Sequence, residues 1–226
     1  TVGQTYYLKV YSYVSNTTKI GFNIGIGTLP TAPENDNCIN AEQLIVNGDL
    51  EYSSVTAGTT MSATNSNVDV APCTGVADDD VWYSFIAEST AHTITLKNVV
   101  SAGLNSSTSL YAQVFGGTCE NFISIGCITT SNTSTIIGQL TPNNVYYVRV
   151  YNLNANGTSY YANTFEIGVG TPPAAPDNDE CIAAIELPVN EDLSCGNVTS
   201  ATTNYATPSL TQPACTSGNP DDDVWF

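Results

Sequence analysis

Positive charge is scarce in this chain. Its 226 residues include four Lys plus Arg and one His against 21 Asp plus Glu, so the formal net charge is −17. Nucleic acids and anionic membranes are recognised through basic surfaces, and this composition therefore argues against both as partners. Charged residues make up 11% of the chain, against an average of about 25%. An acidic surface of this kind suits cations, high salt or solubility.

Long apolar runs and catalytic motifs are missing as well. No stretch approaches the roughly 20 apolar residues of a membrane-spanning helix, so we expect no membrane insertion. The sequence lacks the nucleophile-elbow, dinucleotide-binding and zinc-protease motifs. Its one histidine, His92, stands in a strand-like His-Thr-Ile-Thr-Leu run and is interpreted as an ordinary sheet residue. The sequence therefore predicts a protein that is not an enzyme.

What the chain does contain is an internal repeat. The segment 33–38 (Pro-Glu-Asn-Asp-Asn-Cys) returns at 176–181 as Pro-Asp-Asn-Asp-Glu-Cys. The Asp-Asp-Asp-Val-Trp run at 78–82 returns at 221–225 with the same offset of 143 residues. A period of this length suits one domain and exceeds the roughly 20–50 residues of a solenoid repeat. Each unit can bury its own core.

The start of the chain takes part in the same pattern. Residues 1–11 resemble residues 141–151. We therefore predict that the chain is a segment of a longer tandem array. Its predicted parts are the end of one repeat (1–32), one complete repeat (33–175) and the beginning of the next (176–226).

Short strands are predicted throughout the complete repeat. Apolar and polar residues alternate between Asn-Gly, Gly-Gly and Pro-Asn-Asn turns, which is typical of half-buried strands. The predicted strands lie near 43–47, 54–59, 80–87, 92–97, 109–115, 121–126, 133–138, 144–151 and 163–169. Residues 5–11 and 20–27 are predicted strands too. The fold class is all-β, with tandem antiparallel β-sandwich (jelly-roll-like) domains joined by short Pro-rich linkers at 28–33 and 171–176.

Cysteine placement favours an oxidising, extracellular compartment. The four cysteines of the complete repeat permit three pairings. Cys119 and Cys127 flank a segment long enough for a hairpin that a disulfide could staple. That choice leaves Cys38 to pair with Cys73.

The next repeat contributes three more cysteines. Cys181 and Cys215 occupy the places of Cys38 and Cys73, so we expect them to pair. Cys195 aligns with Tyr52 and would then bond outside residues 1–226. The alternative pairing is Cys195 with Cys215.

Two acidic clusters in each repeat point to a cation. Residues 34–36 follow the Pro-rich linker, and Asp78, Asp79 and Asp80 precede a strand. Adjacent carboxylates repel each other unless a positive charge neutralises them, and the chain has few basic residues to do so. Ca²⁺ takes six to eight oxygen ligands in irregular geometry. A Ca²⁺ that ties each linker to the following sandwich is one interpretation, and solvated acids that cap a strand are the other.

The motifs together resemble a known group of proteins. The Asn-Asp-x-Cys segment after the linker, the run 78–85, the Gly-Gly-Thr-Cys turn (116–119) and residues 3–11 are similar to the tandem repeats of large secreted surface proteins of Bacteroidetes. Those domains are similar to the bacterial pre-peptidase C-terminal domain, a β-sandwich also found as the collagen-binding module of clostridial collagenases. The resemblance implies type IX secretion and a surface-displayed or filamentous protein.

The resemblance also implies a set of Ca²⁺ ligands. In the wider family, linker Glu, Asn and Asp residues hold the ion together with an Asp pair before the next strand. The matching positions are Glu34, Asn35, Asp36, Asp78 and Asp80, and in the next repeat Asp177, Asn178, Asp179, Asp221 and Asp223.

Two functions fit these features. Repetition and stiff linkers favour a non-catalytic stalk or filament that contacts neighbouring repeats or copies of itself. The alternative is an adhesin that binds glycans or collagen-like ligands through exposed tyrosines. The candidates are Tyr7, Tyr11, Tyr147 and Tyr151 on the outer face of a predicted strand, although tyrosine is also common in strands for packing reasons.

Overall fold

The structure is a computed structural model that describes residues 3–11, 21–104, 106–130, 135–152, 161–207 and 222–226. Its ten strands are β1 (Glu42–Gln43), β2 (Val46–Asn47), β3 (Thr56–Thr59), β4 (Val81–Ile86), β5 (His92–Ser101), β6 (Leu110–Thr118), β7 (Asn121–Thr129), β8 (Ile136–Ile137), β9 (Val145–Asn152) and β10 (Asn163–Gly170). Two 3₁₀ helices, Cys38–Asn40 and Cys181–Ala183, complete the regular structure. None of the helices in these ranges is long and apolar enough to cross a membrane.

The strands form two mixed sheets. The first has the order β1-β4-β9-β6-β7, and the second has the order β2-β10-β5-β8, with β3 also paired to β10. Every strand predicted within 33–175 has a counterpart, so the all-β prediction is confirmed. All ten strands lie inside that predicted repeat, whose boundaries remain a prediction.

The antiparallel prediction is wrong for two strand pairs. β1 runs parallel to β4, and β2 runs parallel to β10. The predicted strand 43–47 is divided at the buried Leu44, where the chain passes from the first sheet to the second. Each two-residue strand pairs with the edge of a different sheet and runs parallel to its neighbour there.

The core lies between the two sheets. Alternate residues of β4, β6 and β9 point inward from the first sheet, and alternate residues of β5 and β10 point inward from the second. This is the alternation expected of a sandwich. The residues of β9 and β10 in this core are Tyr146, Val148, Val150, Phe165, Ile167 and Val169.

The first predicted strands are not formed. Residues 3–11 and 21–32 belong to no sheet, and Tyr7 is 94% exposed. The same pattern at β9 is a strand because β4 and β6 flank it there. A strand is stabilised by its cross-strand neighbours, so the alternating pattern by itself is insufficient. Residues 12–20 lie outside the described ranges.

A third layer covers the outer face of the first sheet. It is formed by residues 64–77, here called the cover loop. Carbonyl groups of Val68, Asp69 and Thr74 accept hydrogen bonds from outward-facing side chains of that sheet. Cys73 of the cover loop is bonded to Cys127 of β7. The outer face is therefore a second buried layer.

The disulfide pairing predicted from the sequence is wrong. The bonds are Cys38–Cys119, with 5.7 Å between Cα atoms, and Cys73–Cys127, with 5.6 Å. Thr118 pairs with Asn121 at the hairpin turn, but Cys127 lies six residues farther along β7. At about 3.4 Å per residue, Cys127 is some 20 Å from the turn, beyond the roughly 7 Å limit for a disulfide.

The cysteines of the next repeat behave differently. Cys181 and Cys195 are free and exposed, so the predicted bond of Cys181 is not formed in the structure. Cys215 lies outside the described residues. Cys195 has a φ of 49°, and the aligned Tyr52 has a φ of 52°, which agrees with the predicted alignment of the two positions.

We expect Cys73→Ser combined with Cys127→Ser to lower the free energy of unfolding by about 2–4 kcal/mol. The reason is that the cover loop loses its covalent attachment to β7. Urea unfolding measures the loss, and Cys195→Ser, at an exposed free thiol, is the control that should change nothing. Peptide mapping without reduction that finds Cys119 joined to Cys127 would contradict the pairing.

Candidate functional site

Residues 34–36, here called the entry segment, lead into the sandwich and are hydrogen-bonded to β4 and to the cover loop. The Asn35 side-chain amide donates to the Trp82 carbonyl at 2.9 Å, and the Trp82 N–H donates to the Asn35 carbonyl at 2.8 Å. The Asp36 carboxylate accepts from the Thr64 N–H at 2.6 Å and the Thr64 hydroxyl at 2.7 Å. Glu34 is exposed. Two of the three predicted linker ligands therefore already make structural hydrogen bonds.

The three adjacent aspartates do not act together. Asp80 is buried and accepts from the N–H of Ser66 at 2.9 Å and from the Ser66 hydroxyl. Asp79 is also buried but accepts instead from the side chain of Asn152. In the described part of the chain, no group of three or more His, Cys, Asp or Glu side chains is placed to hold a metal ion. The predicted Ca²⁺ ligands are not gathered into one such group, and the ion itself remains a prediction.

A buried guanidinium holds the outer face together. Arg149, the only arginine of the chain, is fully buried. It donates to the carbonyls of Val68 at 2.6 Å and Asp69 at 2.9 Å, and to the Gln113 side-chain oxygen at 2.5 Å. Its nearest carboxylate oxygen, on Asp80, is 3.6 Å away. Burial lowers the pKa of Arg149, and the neighbouring Asp80 charge opposes that shift.

Aromatic rings enclose this guanidinium. Its central carbon lies 5.7 Å from the ring centroid of Trp82, 5.5 Å from that of Phe115 and 5.1 Å from that of Tyr151. Arginine beside aromatic faces is favourable when water is excluded. This role of Arg149 was not predicted, although a single arginine between apolar and aromatic strand residues is a visible signal in the sequence.

The same contacts recur at the start of the predicted next repeat. The Asn178 side-chain amide donates to the Trp225 carbonyl at 2.8 Å, and the Trp225 N–H donates to the Asn178 carbonyl at 2.8 Å. Asp179 accepts from the Thr207 N–H at 2.6 Å and the Thr207 hydroxyl at 2.7 Å. Each partner lies 143 residues after its counterpart. Asp177 is exposed, and Asp221 lies outside the described residues.

A second set of local contacts also recurs with this offset. Asn47 binds both backbone groups of Ser54 through its side chain, and Asn190 does the same with Asn197. These bonds do not depend on the residue that stands at position 54 or 197, because only its backbone is used. Residues 47–54 and 190–197 therefore share a local conformation, as the segments at 35–36 and 178–179 do.

His92 is buried among backbone groups. One ring nitrogen accepts from the N–H groups of Glu88 at 3.0 Å and Ser89 at 3.2 Å, and the other lies 3.3 Å from the Gly170 carbonyl. Burial lowers the pKa of His92, which favours the neutral ring that can both accept and donate. These contacts describe a sheet residue of the kind that was predicted.

The predicted binding tyrosines do not form one surface. Tyr7 and Tyr11 are exposed, at 94% and 75%, and Tyr147 is half-buried. Tyr151 is fully buried, and its hydroxyl donates to the Thr74 carbonyl at 2.8 Å. The prediction that Tyr151 is exposed is wrong because the cover loop lies over this face of β9.

A different tyrosine lies on the open face of the second sheet. Tyr52 packs against Gly168 and Gly170, where a Cβ would come within 3.0 Å and 2.9 Å of its ring. Its hydroxyl is 2.5 Å from the Thr93 hydroxyl, and the Lys97 ammonium lies 4.6 Å from the ring centroid. In the sequence Tyr52 is only the position that aligns with Cys195, and no pattern there predicts that its ring lies on this face.

This face forms one side of a cleft. The cleft has a volume of 1820 Å³, and its other side is formed by residues 172–175 and 202–207 of the linker and the next repeat. Its lining includes threonine and serine residues, the Lys97 side chain and the tyrosines Tyr52, Tyr146 and Tyr205. Such groups can bind a neutral polar ligand.

Comparison with known proteins identifies the domain. Residues 34–167 match the family model of galactose-binding-domain-like domains associated with type IX secretion. The chain belongs to this family. The matched residues begin at the entry segment and end within β10, so the galactose-binding-like domain contains the cover loop and both disulfides.

The family assignment also bears on location. Association with type IX secretion indicates a secreted or cell-surface protein of the Bacteroidetes type. No curated protein and no solved structure matches the chain. The similarity of this galactose-binding-like domain to the pre-peptidase C-terminal domain stays a prediction.

We expect Arg149→Met to lower the free energy of unfolding by about 3–5 kcal/mol, because it leaves the buried Asp80 charge without its partner. Adding Asp80→Asn to this variant should recover part of the loss. Urea unfolding measures both effects. Lys97→Met, which removes a more accessible cation, should cost under about 1 kcal/mol. A loss of that small size for Arg149→Met would show that the guanidinium does not hold the cover loop.

Proposed function

We propose that this chain is part of a non-catalytic extracellular stalk or filament built from tandem galactose-binding-like domains. The observation that carries the proposal is the recurrence, 143 residues later, of the hydrogen bonds that attach Asn35 and Asp36 to their domain. A repeated entry segment with repeated contacts is the feature expected when equivalent domains follow one another at equivalent joints.

The joint itself supports a mechanical role. The Thr171 N–H donates to the Asn47 carbonyl at 2.9 Å, and the Asn178 side-chain amide donates to the Trp225 carbonyl at 2.8 Å. Residues 172–177 lie between these anchors, and Pro172, Pro173 and Pro176 are three of the six. Proline restricts the backbone, and proline-rich linkers are semi-rigid spacers. A short linker that is anchored at both ends transmits orientation from one domain to the next.

Small-angle X-ray scattering of the whole chain tests this rigidity. We expect Pro172→Gly combined with Pro173→Gly to increase the radius of gyration and broaden the distance distribution, because glycine frees the joint. Pro142→Gly, in the turn before β9, is the matched control and should leave both unchanged. If the wild-type chain already scatters as a domain with an unfolded tail, the proposal of a stiff joint is wrong.

Binding of a neutral glycan is the second candidate function. The cleft beside Tyr52 supports it, because hydroxyl groups and an ammonium group can hydrogen-bond with sugar hydroxyls and aromatic rings line the same cleft. The family description as galactose-binding-domain-like points to the same ligand class. The exposed Tyr7 and Tyr11 offer an independent surface for the same function.

A glycan array with the whole chain separates these surfaces. If the cleft binds glycans, Lys97→Ala and Tyr52→Ala should each weaken binding by about tenfold, the effect of losing a contact worth about 1.4 kcal/mol. Tyr7→Ala and Tyr11→Ala should leave it unchanged. The opposite pattern would place binding on the N-terminal segment, and no retained glycan at all would leave the stalk as the remaining function.

A further inference from the structure

Asp79 is a buried carboxylate outside the Asp80–Arg149 pair. It is 1% exposed, and one of its oxygens accepts from the Asn152 side-chain amide. The only ion pair in the described part of the chain joins Arg149 to Asp80. An ionised carboxylate that is buried without a positive partner is strongly disfavoured. Something must offset that charge if Asp79 is ionised.

Oxygen atoms surround this carboxylate on neighbouring elements. The Thr60 hydroxyl accepts from the Asn152 side-chain amide at 3.3 Å and from the Asn163 N–H at 3.1 Å. Thr60, Asn152 and Asn163 are each at most 1% exposed. Thr60 follows β3, Asn152 is the last residue of β9 and Asn163 is the first residue of β10. The group therefore lies where these three strands meet, at one end of the sandwich.

Three oxygens of this group have no hydrogen-bond partner. They are one carboxylate oxygen of Asp79 and the side-chain carbonyl oxygens of Asn152 and Asn163. Buried polar atoms are almost always satisfied by protein, water or an ion. The Asn163 amide nitrogen donates to the Ser107 carbonyl at 2.8 Å, and the Asn152 amide nitrogen donates to Asp79 and Thr60. Because these bonds identify which end of each amide is the nitrogen, the two remaining atoms are carbonyl oxygens and can only accept.

We propose that Asp79, Asn152 and Asn163 hold one Ca²⁺. The ion would supply the positive charge that Asp79 lacks and would be bound by the three oxygens that accept no hydrogen bond. Ca²⁺ binds carboxylate, amide and hydroxyl oxygens in flexible geometry, and water completes its coordination. One carboxylate among neutral oxygens predicts weak binding, with a Kd on the order of 10⁻⁴–10⁻³ M, as in extracellular modules.

This site differs from the one predicted at the linker. Both oxygens of Asp36 accept from Thr64, and both oxygens of Asp80 accept from Ser66. These carboxylates would have to give up hydrogen bonds to become ligands. Asp79 has an oxygen that accepts no hydrogen bond, so it could bind the ion without giving one up.

Thermal unfolding of the whole chain tests the proposal. The protein is stripped with a chelator at pH 8 and then titrated with CaCl₂ into the millimolar range. We expect a rise in Tm of about 4 °C that follows the logarithm of the Ca²⁺ concentration above the Kd, because a ligand that binds only the folded state stabilises it. Asp79→Asn should abolish the rise, and Asp36→Asn and Asp78→Asn should retain it. An unchanged wild-type Tm, or a rise that only Asp36→Asn abolishes, would overturn the proposal.

A nuclear magnetic resonance titration of the wild-type chain tests the site without any substitution that could disturb folding. Added Ca²⁺ should shift the side-chain amide signals of Asn152 and Asn163 with one common midpoint. The backbone amides of Thr64 and Ser66 and the Asn35 side-chain amide should move far less. A titration in which the signals of Asn35 and Thr64 move and those of Asn152 and Asn163 do not would place the ion at the linker instead.

Discussion

The buried guanidinium of Arg149 is the interaction on which the domain's shape depends. The first sheet has an apolar inner face, and its outer face carries this arginine among aromatic rings, where the carbonyl groups of the cover loop accept the guanidinium's hydrogen bonds. The loop also buries Cys73 and Ala77. Charge-assisted hydrogen bonds in a place without water are strong, so one cation can hold the loop in place. Asp80 balances its charge.

The entry segment depends on the same loop. Asp36 binds Thr64, and Asp80 binds Ser66, so the linker, the cover loop and β4 are joined through two carboxylates. Cys73–Cys127 attaches the loop to β7, and Cys38–Cys119 attaches the chain just after the entry segment to the β6–β7 turn. A linker joined in this way is continuous with the domain that follows it. The acids that suggested a cation at the linker therefore attach the residues after the linker and β4 to the cover loop by hydrogen bonding.

The sequence was informative wherever local pattern decides the structure. Period-two alternation located the strands from β3 to β10, and turn residues located the hairpins, because both depend on neighbouring residues. The pairing of Cys38 with Cys119, the parallel addition of β1 and the burial of Tyr151 depend on which segments meet in three dimensions. No spacing rule contains that information. The unformed strand at residues 5–11 shows the same limit, since its pattern is that of β9 without the neighbours of β9.

Native-state hydrogen exchange at the backbone amides of Thr64 and Ser66 tests the central claim most directly. These two N–H groups are donated to Asp36 and Asp80 and lie in the loop that Arg149 holds. If the loop is a fixed layer of the domain, both amides should exchange only when the whole domain unfolds, at the rate of the amides of β9. Exchange as fast as in an unstructured peptide, while β9 stays protected, would contradict the account.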